Sequence, residues 1–380
     1  MSVESSLHYY FQHVSPARIS MARERAGLTK KKLAELLDKK PSAVTQFESG
    51  KSGLAFETFT RLVQALKIHP AYLTTLLPES PQLKIETCHF RANRSVTQAE
   101  RYQAVRYAQD VLAIYRALER RGVTFPDVAF STYEGPELSE RKIEEYSITV
   151  RKNLGLGLGP ILNMAELLES IGVFIILLPC ECAKLDAFAT WIDDRPCIMI
   201  TADSPASRMQ FDYGHEFAHI LLDENRSSGD PLTERIANRF ASAFLMPYPT
   251  FSTDCPRKFS LSVFISVKDF WHTSIAASMY RARQLDIMSE RNYRSGIISL
   301  TREGYRRSEP KEFDRPLPTS LDQALQLVSS DTTISDLANE IGLYQEQLID
   351  VLKTQGISSE TISSLSPAPQ KAKIINFPAR

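Results

Sequence analysis

The sequence predicts an α+β fold, mainly α, in three parts: an N-terminal five-helix module, a central domain with a small β-sheet, and a helical C-terminal region. Three features carry this prediction. Apolar residues recur at helical spacing over most of the chain. The stretch 173–201 is instead rich in β-formers and holds a turn at Asp193-Asp194-Arg195-Pro196. At 380 residues the chain exceeds one typical domain, and two proline-bearing segments, 77–81 and 309–316, divide it into 16–76, 88–308 and 317–380.

The first expected helices run from Pro16 to Ala26 and, capped by Thr29, from Lys30 to Leu37. A third starts at Pro41, which suits a first helical turn, and stops near Gly50. Ala55 to Leu66 is amphipathic, with Phe59, Leu62 and Leu66 on one stripe, and His69 to Leu76 adds a last turn or two. Long helices are expected over 95–122 and 139–154. The glycines at 155, 157 and 159 mark a turn; with no Lys-Ser/Thr after them they do not form a phosphate loop. Asn163 to Ser170 reads as helix, and Val173 to Leu178, Ala187 to Ile192 and Cys197 to Thr201 read as strands. Helices follow over Ser207 to Asp223, Leu232 to Leu245 and most of 261–288, then a small helical tail whose final stretch holds Pro367, Pro369 and Pro378.

Composition is that of an ordinary soluble protein, 43% hydrophobic and 24% charged. No apolar run is long enough to span a membrane. The opening residues lack a basic segment followed by an apolar one, so no secretory leader is expected. Five scattered cysteines do not make a disulfide framework, which places the expected home in a reducing cytoplasm. Overall charge is zero, but residues 16–75 carry eleven Lys/Arg against five Asp/Glu, a net +6. Either this module meets a polyanion, or its charges form a solvated helix face.

The second and third helices have helix-turn-helix proportions. The third would enter a DNA major groove with Ser42, Ala43, Thr45 and Gln46 toward base edges, Gln46 being able to bond an adenine edge twice. Lys30, Lys31, Lys39, Lys40 and Lys51 are placed for phosphates. Over about sixty residues, RERAGLTKKKLAELLDKKPSAVTQFESGK with TFTRLVQALKI resembles the XRE family of helix-turn-helix repressors. Two departures stand out: Lys30 replaces a frequent glutamine, and Asp38 replaces a usual turn glycine, whose left-handed backbone it can take at some cost.

His215-Glu216-Phe217-Ala218-His219 puts two histidines one helical turn apart on one face. There they could hold one zinc ion, with Glu216 between them as a proton acceptor. The bland alternative is an amphipathic helix with two satisfied histidines. Glu234, on the next helix, adds a third ligand and leaves a fourth position open, as a catalytic zinc requires. Asn238, four residues on, could bond a ligating histidine's other nitrogen; Asp223 is a rival for that role. HEFAHILLD at 215–223 and TERIANRFASAFLMP at 233–247, with further matches from about 88 to 310, resemble the ImmA/IrrE family of metallopeptidases. The resemblance implies a zincin-like domain with His215, His219 and Glu234 as zinc ligands and Glu216 as the catalytic carboxylate. Phe217-Ala218 stands where the family frequently has Leu-Gly. Tyr248, His272, Tyr280 and Arg281 are positional candidates for stabilising an oxyanion, each with a structural role as the alternative.

Cys180-Glu181-Cys182 has no second pair of matching spacing and reads as two small semi-buried residues. Ile334 to Leu352 mimics a second helix-turn-helix, but its exposed face is expected to be acidic (Asp336, Glu340, Glu346, Asp350), which suits packing or protein contact better than DNA. The reading that results is a cytoplasmic regulator that binds a double-stranded DNA operator and cleaves a protein with zinc. The resemblance implies limited proteolysis of a repressor or antitoxin-like partner, relieving repression of stress, prophage or mobile-element genes. Two alternatives stay open: a purely DNA-binding, antitoxin-like regulator with a structural, sensory or inactive metal site, and an interaction platform with negligible turnover. A homodimer is also left open.

Overall fold

Helices form in the N-terminal module where capping and apolar spacing place them: α2 (Pro16–Arg25), α3 (Lys30–Leu36), α4 (Pro41–Glu48) and α5 (Phe56–Leu66). The Thr29 hydroxyl accepts from the Lys32 amide at 3.2 Å, which starts α3. Asp38 adopts φ of 53°, supplying the left-handed turn before α4 without glycine. The expected last helix is a short 3-10 segment, Pro70–Leu73. A helix the periodicity did not suggest, α1 (Val3–Phe11), packs on this module: the Phe11 ring lies 5.6 Å from that of Phe59. The chain here is a computed structural model, which describes residues 3–78, 83, 88, 96–135, 139–185, 187–222, 230–306 and 308–366.

Next come α6 (Gln98–Glu119), opened by a Thr97–Glu100 capping box, α7 (Glu140–Asn153) and α8 (Met164–Ser170), capped by Asn163. The three strands are β1 (Phe174–Leu178), β2 (Ala187–Ile192) and β3 (Arg195–Thr201). Their order is β1-β3-β2, with β1 parallel and β2 antiparallel to β3. Asp193, at φ of 53°, makes the β2–β3 turn. Then follow α9 (Ala206–Leu222), α10 (Pro231–Leu245), α11 (Tyr248–Asp254), α12 (Leu261–Trp271), α13 (Ile275–Gln284) and α14 (Glu290–Arg302). The C-terminal part holds α15 (Ser320–Val328), α16 (Ile334–Ile341), α17 (Gln345–Thr354) and α18 (Ser359–Ser364). Both α11 and α14 lie outside the expected elements. The loop residues Asp223, Asn225, Ser227 and Gly229, linker residues 79–81 and the final prolines fall outside the described residues. No described helix is long and apolar enough to cross a membrane.

The small sheet is buried on both faces, which is why β1 is apolar throughout rather than alternating. Ile175, Leu177, Ile198 and Ile200 face one core with Met209, Phe217, Phe240 and Trp271. Phe174, Ile176, Cys197 and Met199 face the other, shared with α6, the helix-turn-helix module and α15–α17. Polar contacts fix the same arrangement. Asp110 of α6 accepts from Arg25 and, at 3.2 Å, from Tyr72; Arg106 donates to Glu24 at 2.8 Å.

Two expectations need correction. Segment 309–316 is not a loose linker. Lys268, fully buried, must have carboxylate partners, and Glu309 (3.1 Å) and Glu312 provide them. Those carboxylates also cap other elements: Glu309 accepts from the Ile275 amide at 2.9 Å, and Glu312 from Ser207 amide (3.1 Å) and hydroxyl (2.9 Å). Likewise, the acidic face of Ile334 to Leu352 is only partly exposed. Asp336, Glu346 and Asp350 meet solvent, but Glu340 turns in to accept from Arg120 and Arg121 of α6.

Candidate metal centre and nucleic-acid interface

Helix α9 is buried on almost every side, between the sheet and α8 and α10. It cannot slide: Glu312 holds its first turn, and Gln210 accepts from the Met164 amide at 3.1 Å while donating to the Ile161 carbonyl. Phe217 and Ala218 point into the core, with the Phe217 ring 5.7 Å from Phe244 of α10. His215 and His219, 1% and 4% exposed, therefore lie along the α9–α10 seam. Glu216, between them in sequence, is 2% exposed.

Helix α10 starts where Asp230 accepts from the Thr233 amide at 3.1 Å, with Pro231 in its first turn. That start places Glu234 in the first turn, facing α9. Its carboxylate oxygens lie 3.4 Å from His215 Nε2 and 3.7 Å from His219 Nε2, and the two Nε2 atoms are 3.0 Å apart. Asn238, one turn later, donates from Nδ2 to the Glu234 carbonyl at 2.8 Å, which orients its amide. Its Oδ1 then accepts from His215 Nδ1 at 3.1 Å, leaving the His215 Nε2 lone pair turned toward the cluster.

Three electron-pair donors thus converge. Two donors about 2.0–2.1 Å from a tetrahedral zinc lie roughly 3.3 Å apart, and the observed spacings of 3.0, 3.4 and 3.7 Å bracket that value. The donor set of two imidazoles and a carboxylate fits zinc. It is the one such group among the described residues; Cys180 and Cys182 belong to none, with Cys180 exposed and Cys182 buried.

Residues 168–281 match the model of the IrrE N-terminal-like domain, an M78 peptidase family, and residues 19–73 match a helix-turn-helix model. The chain joins an XRE-type helix-turn-helix domain to an IrrE-like domain. No curated protein matches it.

Behind the IrrE-like centre lies a support that sequence reasoning did not find. Glu144 of α7 accepts from Arg239 of α10 at 2.8 Å and from both terminal nitrogens of Arg281 of α13 at 2.6 and 2.7 Å. Arg281 also donates to the Met246 carbonyl at 3.0 Å and is fully buried, so it is a brace and not an oxyanion donor. His272 ends α12 in a left-handed conformation and stacks on Phe313, and Tyr248 is half exposed; neither lines the cavity beside Glu234. Tyr280 does line it. No spacing in the sequence could have paired Glu144 with Arg281, since 137 residues separate them.

In the helix-turn-helix domain, Val44 of α4 is fully buried and Phe47 packs against the same core. The opposite side presents Ser42, Thr45 and Gln46 to solvent, with Ala43 half-buried and the Thr45 hydroxyl donating to the Pro41 carbonyl at 3.2 Å. Lys31, Lys39, Lys40 and Lys51 are exposed around this helix. Lys30 has an internal partner instead: Glu48, at 3.4 Å, which also accepts from the buried Arg23. That cluster ties α2, α3 and α4 together, a role the sequence reading had not given Arg23.

Proposed function

We propose that the chain is a transcription regulator that binds a double-stranded DNA operator through α3 and α4 and cleaves a protein partner, a repressor or antitoxin-like protein, at a zinc site formed by His215, His219 and Glu234. The observation that carries this reading is a buried carboxylate, Glu216, next to His215 on the helix whose two imidazoles converge with Glu234. A structural metal site has no use for that carboxylate. Zinc, when bound, would lower the pKa of a water and polarise a peptide carbonyl. Glu216 is the group to accept that water's proton and return it to the departing amine. Asn238 keeps His215 in the tautomer that offers Nε2.

On the DNA side, Ser42, Thr45 and Gln46 would meet base edges, while Lys31, Lys40 and Lys51 neutralise phosphates. Lys30 is exposed as well but shares its charge with Glu48.

The test of the peptidase half is Glu216→Gln. Zinc content is expected to stay at one per chain while cleavage of the protein partner in the native host falls by at least about 100-fold. Full cleavage by Glu216→Gln, or by a zinc-free preparation, would sink the reading. For the DNA half, Gln46→Ala with Lys51→Ala should weaken operator binding by about 1–3 kcal/mol from the base contact, and should reduce the salt slope by about one. Unchanged affinity and slope would count against α4 as the reading helix.

A further inference from the structure

A cavity of about 2040 Å³ adjoins the metal triad: Glu234 belongs to both, and Asn238, which bonds His215, lines the cavity too. Its lining carries seven Lys/Arg and seven Asp/Glu, but the acids are the more fully paired. Most of the acids lining it are already engaged: Glu309 and Glu312 with Lys268, Glu140 with Arg239, and Glu290 with Arg283 and Arg294. Four cations, Arg235, Arg257, Lys258 and Arg306, are exposed on its wall and have no ion-pair partner among the described residues. Asp212 pairs with Arg208 and Glu234 faces the two histidines, which leaves Asp286 as the lining acid with no ion pair among the described residues. Between these charges the wall is apolar, with Leu232 and Tyr280 unusually exposed at 41% and 38%.

We infer that this cavity takes an acidic peptide segment carrying apolar side chains, and so selects the partner whose bond is presented to the triad. The inference rests on the peptidase reading of the neighbouring centre. Fixed positive charge with low-dielectric walls focuses attraction for an anionic segment. A recess that lies beside the triad and has apolar side chains between its charges favours a peptide over a nucleic acid, whose backbone needs a long charged track. A consequence follows for the chain itself. Its helix-turn-helix module, at net +6 over residues 16–75, carries the wrong sign for this cavity, so a neighbouring copy's DNA-binding module is disfavoured as substrate.

The test uses the full chain carrying Glu216→Gln and two fluorescent peptides of equal length and equal apolar content, one rich in Asp and Glu, the other in Lys. Anisotropy should show the acidic peptide binding and the basic one not. Arg257→Ala, Lys258→Ala and Arg306→Ala together should weaken the acidic peptide roughly tenfold, as should high salt. These residues are exposed, and an unchanged thermal melt verifies the fold; Arg257→Lys with Arg306→Lys should keep most of the binding. Equal binding of both peptides, no loss in the triple variant, or tight binding of single-stranded DNA in place of the acidic peptide would overturn the inference. Because binding is read without turnover, failure of the peptidase reading would show separately, as wild-type protein that binds the acidic peptide but never cleaves its partner.

Discussion

Asn238 shows how much one side chain can decide. A histidine has two ring nitrogens, and only the one without a proton can ligate. Here the Asn238 amide cannot flip freely, because its Nδ2 is committed to the Glu234 carbonyl. Its Oδ1 therefore holds the proton on His215 Nδ1 and leaves Nε2 for the cluster. One residue thus links the helix that carries Glu234 to the tautomer of His215. Asn238→Ala should lower zinc affinity by about 10–100-fold without unfolding the chain. A chelator competition titration measures it, and an affinity equal to wild type would show that His215 is oriented by something else. At this scale the sequence was informative: His215 with His219, and Glu234 with Asn238, follow helical spacing, so the face shared within each pair could be read directly. The pairing of Lys30 with Glu48 was not readable, because it depends on how α4 lies across α3.

Elements are positioned by charge as well as by packing. Helices α7, α10 and α13 meet at Glu144, which pairs with Arg239 and the fully buried Arg281. Burial pushes the Arg281 guanidinium down while Glu144 opposes that shift. Removing the carboxylate would leave a buried cation uncompensated. Glu144→Ala is expected to cost about 3–5 kcal/mol of stability, read as a lowered denaturant midpoint, and to weaken metal binding because α10 carries Glu234. A loss below about 1 kcal/mol would show that Arg281 finds solvent or carbonyl partners instead. Periodicity predicted α10 almost to the residue but was silent on this brace. The glycine turn after α7 is held in a related way: Arg151, buried, donates to the carbonyls of Gly157, Gly159 and Phe244.

Across the whole molecule, α6 is the shared beam. The helix-turn-helix module sits on one part of it through Arg25–Asp110 and Arg106–Glu24, the sheet packs along it, and α16 is fastened to its end by Glu340. Gln355 of the C-terminal region even satisfies the free edge of β1, pairing with the Leu177 amide (3.0 Å) and carbonyl (2.7 Å). Burial alone would raise the Glu340 carboxyl, but hydrogen bonds from Arg121 and Arg120 outweigh it and hold the group below the ordinary glutamate range. A depressed carboxylate adds stability that is fully present above its unfolded value, about 4.3, and is lost as pH falls through its lower folded value. Acid should therefore loosen the C-terminal helices from α6. Urea unfolding followed between about pH 3 and pH 7 should show a flatter acid limb for Glu340→Gln than for wild type; identical limbs would remove Glu340 from the account.

The sequence by itself determined what short-range physics governs. Caps at Thr29, Asn163 and Asp230 set helix starts, spacing set buried stripes, and one helical turn set the two histidines side by side. It also showed a basic module ahead of a metal-ligand constellation. Only the tertiary structure decided which distant groups neutralise one another, because an ion pair depends on distance in space and leaves no period in the chain. That is why segment 309–316 looked like a linker and proved to be a strap around Lys268, and why an acidic helix face held one residue, Glu340, reserved for α6. For the same reason, the four uncommitted cations beside Glu234 are dispersed between positions 235 and 306 and gather only when α10, the loop before α12 and the turn after α14 fold around one cavity.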